Sequence, residues 1–291
     1  MSEKRYYEHR EIQRPTYSIN LTLDYFNKRL RVTHFLGSSE EVIKKTVHLM
    51  CHHSFEKLIF YIRKDLLLHF LTAGFSLEAI LPRYFNGSDA YIVTKYFSKK
   101  RRISINWEKE DEIIRSLHQD ENEISSKFLE TTSPPFTLRK AITSDAKKLA
   151  CLYQEVFKIY PTPLDDEEYI IHLLKGSSVY YVIEENNEII SAASVDINYA
   201  FHNAELTDCA TLPQYRGYGF MKSILKKLEQ ELVNNGIFCA FSIARSLSFG
   251  MNACFHNLGY TYTGRLINNC YIYDKLEDMN VWVKDLSQQA K

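Results

Sequence analysis

The chain lacks an excess of charge. Among its 291 residues, 36 lysines and arginines balance 36 aspartates and glutamates, so nothing in the charge favours nucleic acid or another polyanion as partner. No apolar run approaches the roughly 20 residues of a membrane helix, and no membrane partner is expected. The stretch from Met1 to Arg14 is polar and charged; without an apolar core it does not read as a signal peptide. The six cysteines (51, 151, 209, 239, 254 and 270) form neither a CxxC pair nor a zinc spacing, so no metal is expected. Cys209 and Cys239 lie in strand-like apolar runs, which reads as buried, reduced thiols in a cytoplasmic protein.

What the chain has in plenty is aromatic: 20 tyrosines and 17 phenylalanines, a supply suited to packed α/β cores. The length allows two domains or one large one. Tyr17–Leu23 and Arg29–Phe35 read as a hairpin. Ser38 or Ser39 with Glu41 caps a helix to about Cys51. Lys57–Ile62 is a strand, and Asp65–Ala73 a helix stopped by Gly74. Ala79–Arg83 and Ala90–Phe97 are strands around an Asn86-Gly87 turn. A charged stretch and a Ser/Thr-rich segment then end at Pro134-Pro135, where a boundary is placed: residues 1–133 form a smaller N-terminal α/β domain and 134–291 a second domain. The second domain runs as strand Phe136–Arg139, helices Ser144–Phe157 and Asp166–Leu174, and strands Val179–Glu184 and Glu188–Ile197. After the central stretch come strand Phe238–Ala244, a helix at Phe249–Asn257, and strands at Tyr260–Arg265 and Val281–Asp285, with Tyr271–Tyr273 between.

The central stretch carries the chemistry. Strand Ala204–Thr211 leads through Leu212-Pro213-Gln214-Tyr215-Arg216-Gly217-Tyr218-Gly219-Phe220-Met221 into a helix with Ile224, Leu225, Leu228 and Leu232 at helical spacing. Glu229 falls on the polar side of that pattern. A glycine turn at a helix start aims free N–H groups and the positive end of the helix dipole at one spot, which suits a phosphate. Glycines before a helix are more often plain turn chemistry. The order strand, Pro, Arg-Gly-x-Gly, helix is more specific, and it resembles the acetyl-coenzyme A motif of the GNAT acetyltransferase superfamily. Two frames fit that motif, one from Gln214 to Gly219 and one from Arg216 to Met221. Pro213, three residues before Arg216, favours the second, with Met221 where a small residue is usual.

Further motifs narrow the resemblance. Glu205-Leu-Thr-Asp208-Cys-Ala-Thr211, Arg245-Ser-x-Ser248-x-Gly250-Met251-Asn252, Gly264-Arg265-Leu266-Ile-Asn268-Asn269-Cys270 and Glu277-Asp278-Met279-Asn280-x-Trp282 are similar to the bacterial and archaeal β-lysine N-acetyltransferases. The resemblance implies an α/β GNAT fold on a mixed sheet. It implies acetyl transfer from acetyl-CoA to the terminal amine of β-lysine, giving a compatible solute used in osmoadaptation. It also implies a metabolic link to a lysine 2,3-aminomutase; the assembly allowed for is a homodimer. Cys209, Ala210, Thr211, Arg216, Gly217, Tyr218, Gly219, Phe220, Met221 and Asn252 would then meet the coenzyme. The N-terminal domain can be read as a half-GNAT unit without a phosphate turn: helix-Gly74-Phe75-hairpin parallels helix-Gly259-Tyr260-hairpin. A generic coincidence of strand, helix and hairpin is an equal alternative.

An alkylammonium with a pKa near 10.4 must lose a proton before it attacks. Glu205 is the first choice as base and Asp208, acting through water, the second. Three apart on a strand, the two are expected on opposite faces. The backbone N–H groups of Cys209–Thr211 can face the developing oxyanion. Many GNAT enzymes carry a tyrosine four residues before the glycine of the last helix; here that position is Phe255. Ser248 stands where asparagine is frequent. Arg245 and Arg265 are the candidates for the substrate carboxylate, and Glu277 and Asp278 for its second ammonium. The alternatives are a GNAT enzyme for another small amine, such as a polyamine or lysine, and a module that binds acyl-CoA without turnover.

Overall fold

The computed structural model describes residues 6–119, 135–272 and 275–287. The Ser/Thr-rich segment, Pro134 and Tyr273 lie outside them. The first half builds β1 (Tyr7–Arg14), β2 (Tyr17–Asp24), β3 (Arg29–Gly37), α1 (Ser39–His52), β4 (Lys57–Ile62), α2 (Leu67–Thr72), β5 (Ser76–Phe85) and β6 (Ser88–Tyr96). Two helices follow, α3 (Lys99–Arg102) and α4 (Trp107–Gln119). The second half builds β7 (Phe136–Lys140), α5 (Ala146–Val156), α6 (Glu167–Lys175), β8 (Ser178–Glu185), β9 (Glu188–Asn198), β10 (Asn203–Thr211), α7 (Phe220–Asn234), β11 (Cys239–Arg245), α8 (Phe249–Asn257), β12 (Thr261–Ile272) and β13 (Lys275–Asp285).

Most elements stand where periodicity and caps put them. Ser38 accepts the Glu41 amide at the start of α1, and Gly74 and Gly259 follow α2 and α8 with positive φ. One element goes unread in the sequence and one expectation is corrected. The polar start holds a strand, β1, paired along its length with β2. It is an edge strand, and edge strands can carry charge because water reaches them. The last strands are a hairpin longer than their apolar runs, because β12 bulges between Leu266 and Cys270 and resumes pairing beyond.

All thirteen strands form one mixed sheet, in the order β1-β2-β3-β4-β6-β5-β12-β13-β11-β10-β9-β8-β7. The two halves repeat one plan: β2-β3-α1-β4-α2-β5-β6 against β9-β10-α7-β11-α8-β12-β13. Both place a parallel pair ahead of the first helix's return strand, β3 with β4 and β10 with β11. They meet where Ala79 of β5 pairs with Gly264 of β12. The separations 264 − 79 and 259 − 74 are both 185, so the pair at the junction maps onto itself under the repeat. Gly264 is required there: a β-carbon would lie 2.1 Å from the Glu78 carbonyl oxygen.

Helices α7 and α8 pack on one face of the second half around Ile224, Leu228, Phe255 and Trp282. Helices α1 and α2 do the same for the first half around Val42, Leu49 and Phe70. The opposite faces share a core, with Ile59, Leu81, Phe85 and Ile92 against Phe241, Leu266, Met279 and Val281. Three cations of the first half reach backbone oxygens in the β12 bulge: Lys57 donates to Ile267, and Arg29 and Arg101 to Asn269, at 2.7, 3.1 and 3.1 Å. The Asn268 amide group donates to the carbonyls of Lys100, Arg101 and Ile103.

Candidate active site

β10 and β11 pair as parallel neighbours only from Asn203–Glu205 against Cys239–Phe241. Beyond that they part, and a cleft of about 630 Å³ opens between them. Thr207, Asp208 and Cys209 line one wall, Ile243 to Arg245 the other, and Gly217, Gly219 and Phe220 the mouth. The strands part because β10 loses register with β9 between Thr207 and Ala210. Asp208 sits in that bulge at φ +52°, one of the few non-glycine types that tolerates the left-handed region.

The bulge overturns the expectation that Glu205 and Asp208 face opposite ways. Glu205 pairs across from Asp196 on β9, and Ser194 lies two residues earlier on the same side of β9. The Asp208 carboxylate accepts the Ser194 hydroxyl at 2.8 Å. Both carboxylates therefore share one face, because the extra residue resets the alternation. Asp208 also accepts from Tyr180 at 2.9 Å and from Tyr160 at 3.4 Å. Burial pushes Glu205 up to about 7, against the pull of Arg31, and Asp208 up to about 6, against its three hydroxyl donors.

At the mouth, Gly217 and Gly219 have φ of +86° and +79°, and a β-carbon at either would meet no protein atom within 4 Å. Glycine there serves the backbone and leaves room for a ligand to come against it. α7 starts at Phe220 with no side-chain cap, so its first amides have no intrahelical acceptor and border the cleft. These features fit a bound pyrophosphate. Cys209, Thr211, Arg216 and Met221 also line the cleft. Ala210 is buried, and the exposed Tyr218 stacks on Phe220 and meets Phe136.

Other expected residues are committed elsewhere. Asn252, expected at the coenzyme, is fully buried. Its side-chain amide donates to the carbonyls of Arg245, Ser246 and Ser248, and its oxygen accepts from Asn280 and Trp282. It ties α8 to the sheet. Arg245 and Glu277, expected to hold opposite ends of a substrate, hold each other through two bonds of 2.6 and 2.7 Å. Arg265 meets Asp111 at 2.8 Å, Glu110 at 3.4 Å and Asn280 at 2.9 Å. Asp278 is buried and accepts the Asn268 amide at 2.7 Å. Glu229 is buried against Lys284 at 2.8 Å rather than solvated.

The face that holds Glu205 is shared with the first half of the chain, which sequence reasoning did not reach. Arg31 of β3 and Tyr61 of β4 act electrostatically on Glu205. The Tyr7 hydroxyl of β1 meets that of Tyr169 on α6 at 3.0 Å. Tyr160, between α5 and α6, was missed as well. Phe255 has no proton to donate, and Tyr160 places a hydroxyl in the cleft on Asp208. The one readable signal was the Ser194-x-Asp196 alternation within the apolar run Ile189–Ile197 of β9, which also holds Ser191.

Residues 146–260 match the Acetyltransferase (GNAT) family. The chain is 38% identical over 263 residues, 90% of its length and 94% of the relative's, to N-acetyltransferase YodP of Bacillus subtilis (strain 168). It is 36% identical over 269 residues, 87% of its length and 99% of the relative's, to a Beta-lysine N(6)-acetyltransferase of Methanosarcina mazei. A protein of the same name from Methanococcus maripaludis is 35% identical over 211 residues, 72% of this chain and 76% of that one. With its glycine turn, splayed strands and bulged carboxylate strand, the chain belongs to the GNAT family and is an acetyl-CoA-dependent N-acetyltransferase.

Proposed function

We propose that the chain acetylates the terminal amine of β-lysine. The observation that carries this reading is the cluster of carboxylates Asp196, Glu205 and Asp208 on one face, of which Asp208 lines the coenzyme cleft, joined to the similarity to two β-lysine acetyltransferases. A diamine acceptor brings two positive charges, and three carboxylates on one face answer them. Glu205 and Asp208 act as one coupled base. Held near neutrality, they can take a proton from the ammonium as its nitrogen is acetylated. The turn at Arg216–Met221 holds the coenzyme phosphates, and backbone amides of Cys209–Thr211 face the oxyanion that forms on the acetyl carbon. The product, with one amine turned into an uncharged amide, has the character of a compatible solute, and a lysine 2,3-aminomutase would supply the substrate. Cytoplasmic location and homodimer assembly belong to this reading.

The test is release of CoA thiol from acetyl-CoA with β-lysine, α-lysine, ornithine and spermidine. The expected order puts β-lysine first in kcat/KM. A preference for spermidine or ornithine would overturn the β-lysine reading and leave the acetyltransferase standing.

A further inference from the structure

Two opposite charges lie on the inner faces of the two halves: Arg31 pairs across from Ile59 and Glu205 from Phe241, and both of those partners belong to the shared core. Arg31 projects from β3, and Glu205 from β10. Each alters the other's proton affinity, yet Arg31 has no carboxylate within 4 Å among the described residues and forms no ion pair like that of its neighbour Arg29 with Asp24, 2.8 Å away. Glu205 likewise accepts no side-chain hydrogen bond among the described residues. Both are half-buried, and Asp196 beside Glu205 is exposed, so water reaches this face at Asp196. Around Arg31 stand Tyr61 and, through its charge, His9.

This contrasts with the other cations on the junction. Lys57, Arg29, Arg101 and Arg265 are each anchored by a carboxylate or a carbonyl within 3.5 Å. A partly buried guanidinium left without an anion loses solvation and gains no ionic partner; the Tyr61 hydroxyl, a neutral hydrogen-bond partner of Arg31, does not answer its charge. Such a group is poised for a planar anion brought from outside, which its fork of donors can hold in two places.

We propose that Arg31, supplied by the N-terminal half, takes the carboxylate of the acceptor amino acid, while the ammonium groups of the same molecule face Glu205, Asp196 and Asp208. This rests on the diamino-acid reading above and replaces Arg245 and Arg265, whose charges are already answered within the fold. The N-terminal half is then the part of the chain that selects the acceptor. The coenzyme stays wholly with the second half.

The experiment compares Arg31→Ala and Arg31→Lys with the wild type, using β-lysine and cadaverine, which keeps two amines and lacks the carboxylate. For Arg31→Ala, kcat/KM on β-lysine should fall roughly tenfold to a thousandfold, chiefly through KM, since a hydrogen-bonded charge partner has gone. Arg31→Lys should recover part of it. The ratio of β-lysine to cadaverine turnover should collapse, and the KM for acetyl-CoA should stay within threefold. Equal losses on both amines would assign Arg31 to the fold and overturn the proposal. If neither variant folds, the wild type still decides. 5-Aminovalerate should compete with β-lysine at least tenfold better than pentylamine does, and equal competition would overturn the role of Arg31. A wild type that prefers cadaverine to β-lysine would overturn the diamino-acid reading itself.

Discussion

Glu205 is where folding works against an ionised carboxylate. Its carboxyl is held at about 7 in the folded chain, above the 4.5 of an unperturbed glutamate, chiefly by burial. A carboxyl raised by folding binds its proton more tightly in the native state, so its ionised form costs stability. That cost is absent below the unfolded value, grows as pH rises from there to about 7, and is complete above. Glu205→Gln should therefore raise the melting temperature at pH 8, by the equivalent of about 1–3 kcal/mol, and the gain should fade toward pH 4. The same variant should lose kcat/KM and the fall in rate that the wild type shows as pH drops below about 7. Melting curves at pH 4 and pH 8 with a pH–rate profile check both halves. An unchanged profile would move the base to Asp208. Asp208 shows what residue-level reasoning misses: a non-glycine residue at φ +52° carries no signature in a run of strand formers.

At the scale of elements, α4 reads in sequence as a charged stretch and in the fold as a clamp. Its Glu110 and Asp111 meet Arg265 of β12, and Ile114 and Leu117 join the core under α7 and α8. Burial and the neighbouring Asp278 push Glu110 up to about 8, so the clamp holds a proton as well as an ion pair. Arg265→Ala removes the cation from this buried group. It should destabilise the protein by on the order of 2–4 kcal/mol while changing the KM for the amine less than threefold, as read by denaturant unfolding and steady-state kinetics. A large rise in KM without loss of stability would return Arg265 to the substrate. The helix starts also differ. At the start of α1, Gly37 is packed against the Thr16 carbonyl and Ser38 caps the helix. At the start of α7, two glycines face open space and no side chain caps the helix. The repeat has its helix in both halves and an uncapped, glycine-lined helix start in one.

The whole molecule behaves as one sheet with one inner core, and we propose that its halves do not fold apart. The face of β11, β12 and β13 that carries Phe241, Leu266, Met279 and Val281 is covered by Ile59, Leu81 and Ile92 of the other half. The β12 bulge takes its hydrogen bonds from Lys57, Arg29 and Arg101. Cutting the chain at the 133/134 boundary would expose that apolar face and strand those carbonyls. The fragment 134–291 should then be insoluble, or bind acetyl-CoA at least tenfold more weakly. Circular dichroism and calorimetric titration would show it. A soluble, cooperatively folding fragment with native coenzyme affinity would mean the first half is an add-on.

Local chemistry was enough for most of the elements, the glycine turn and the family. Helical spacing, caps and Gly-x-Gly act over a few residues, so Ser38, Gly74, Gly259 and the run from Pro213 to Phe220 could be placed from their neighbours alone. The partners of the charged residues were not legible in this way. Arg245, Arg265, Glu277 and Asp278 carry the groups a diamino acid needs, yet three of them are spent on Glu277, Asp111 and Arg245 and the fourth on a backbone amide. Arg31 carries the same group as Arg265 and has no carboxylate within 4 Å among the described residues. A charge is satisfied by whatever the chain brings near it, here from 154 positions away in the pair of Arg265 with Asp111 and from 240 in that of Arg29 with Asn269. Only the closure of one half-sheet against the other decides which arginine is still free to meet a substrate.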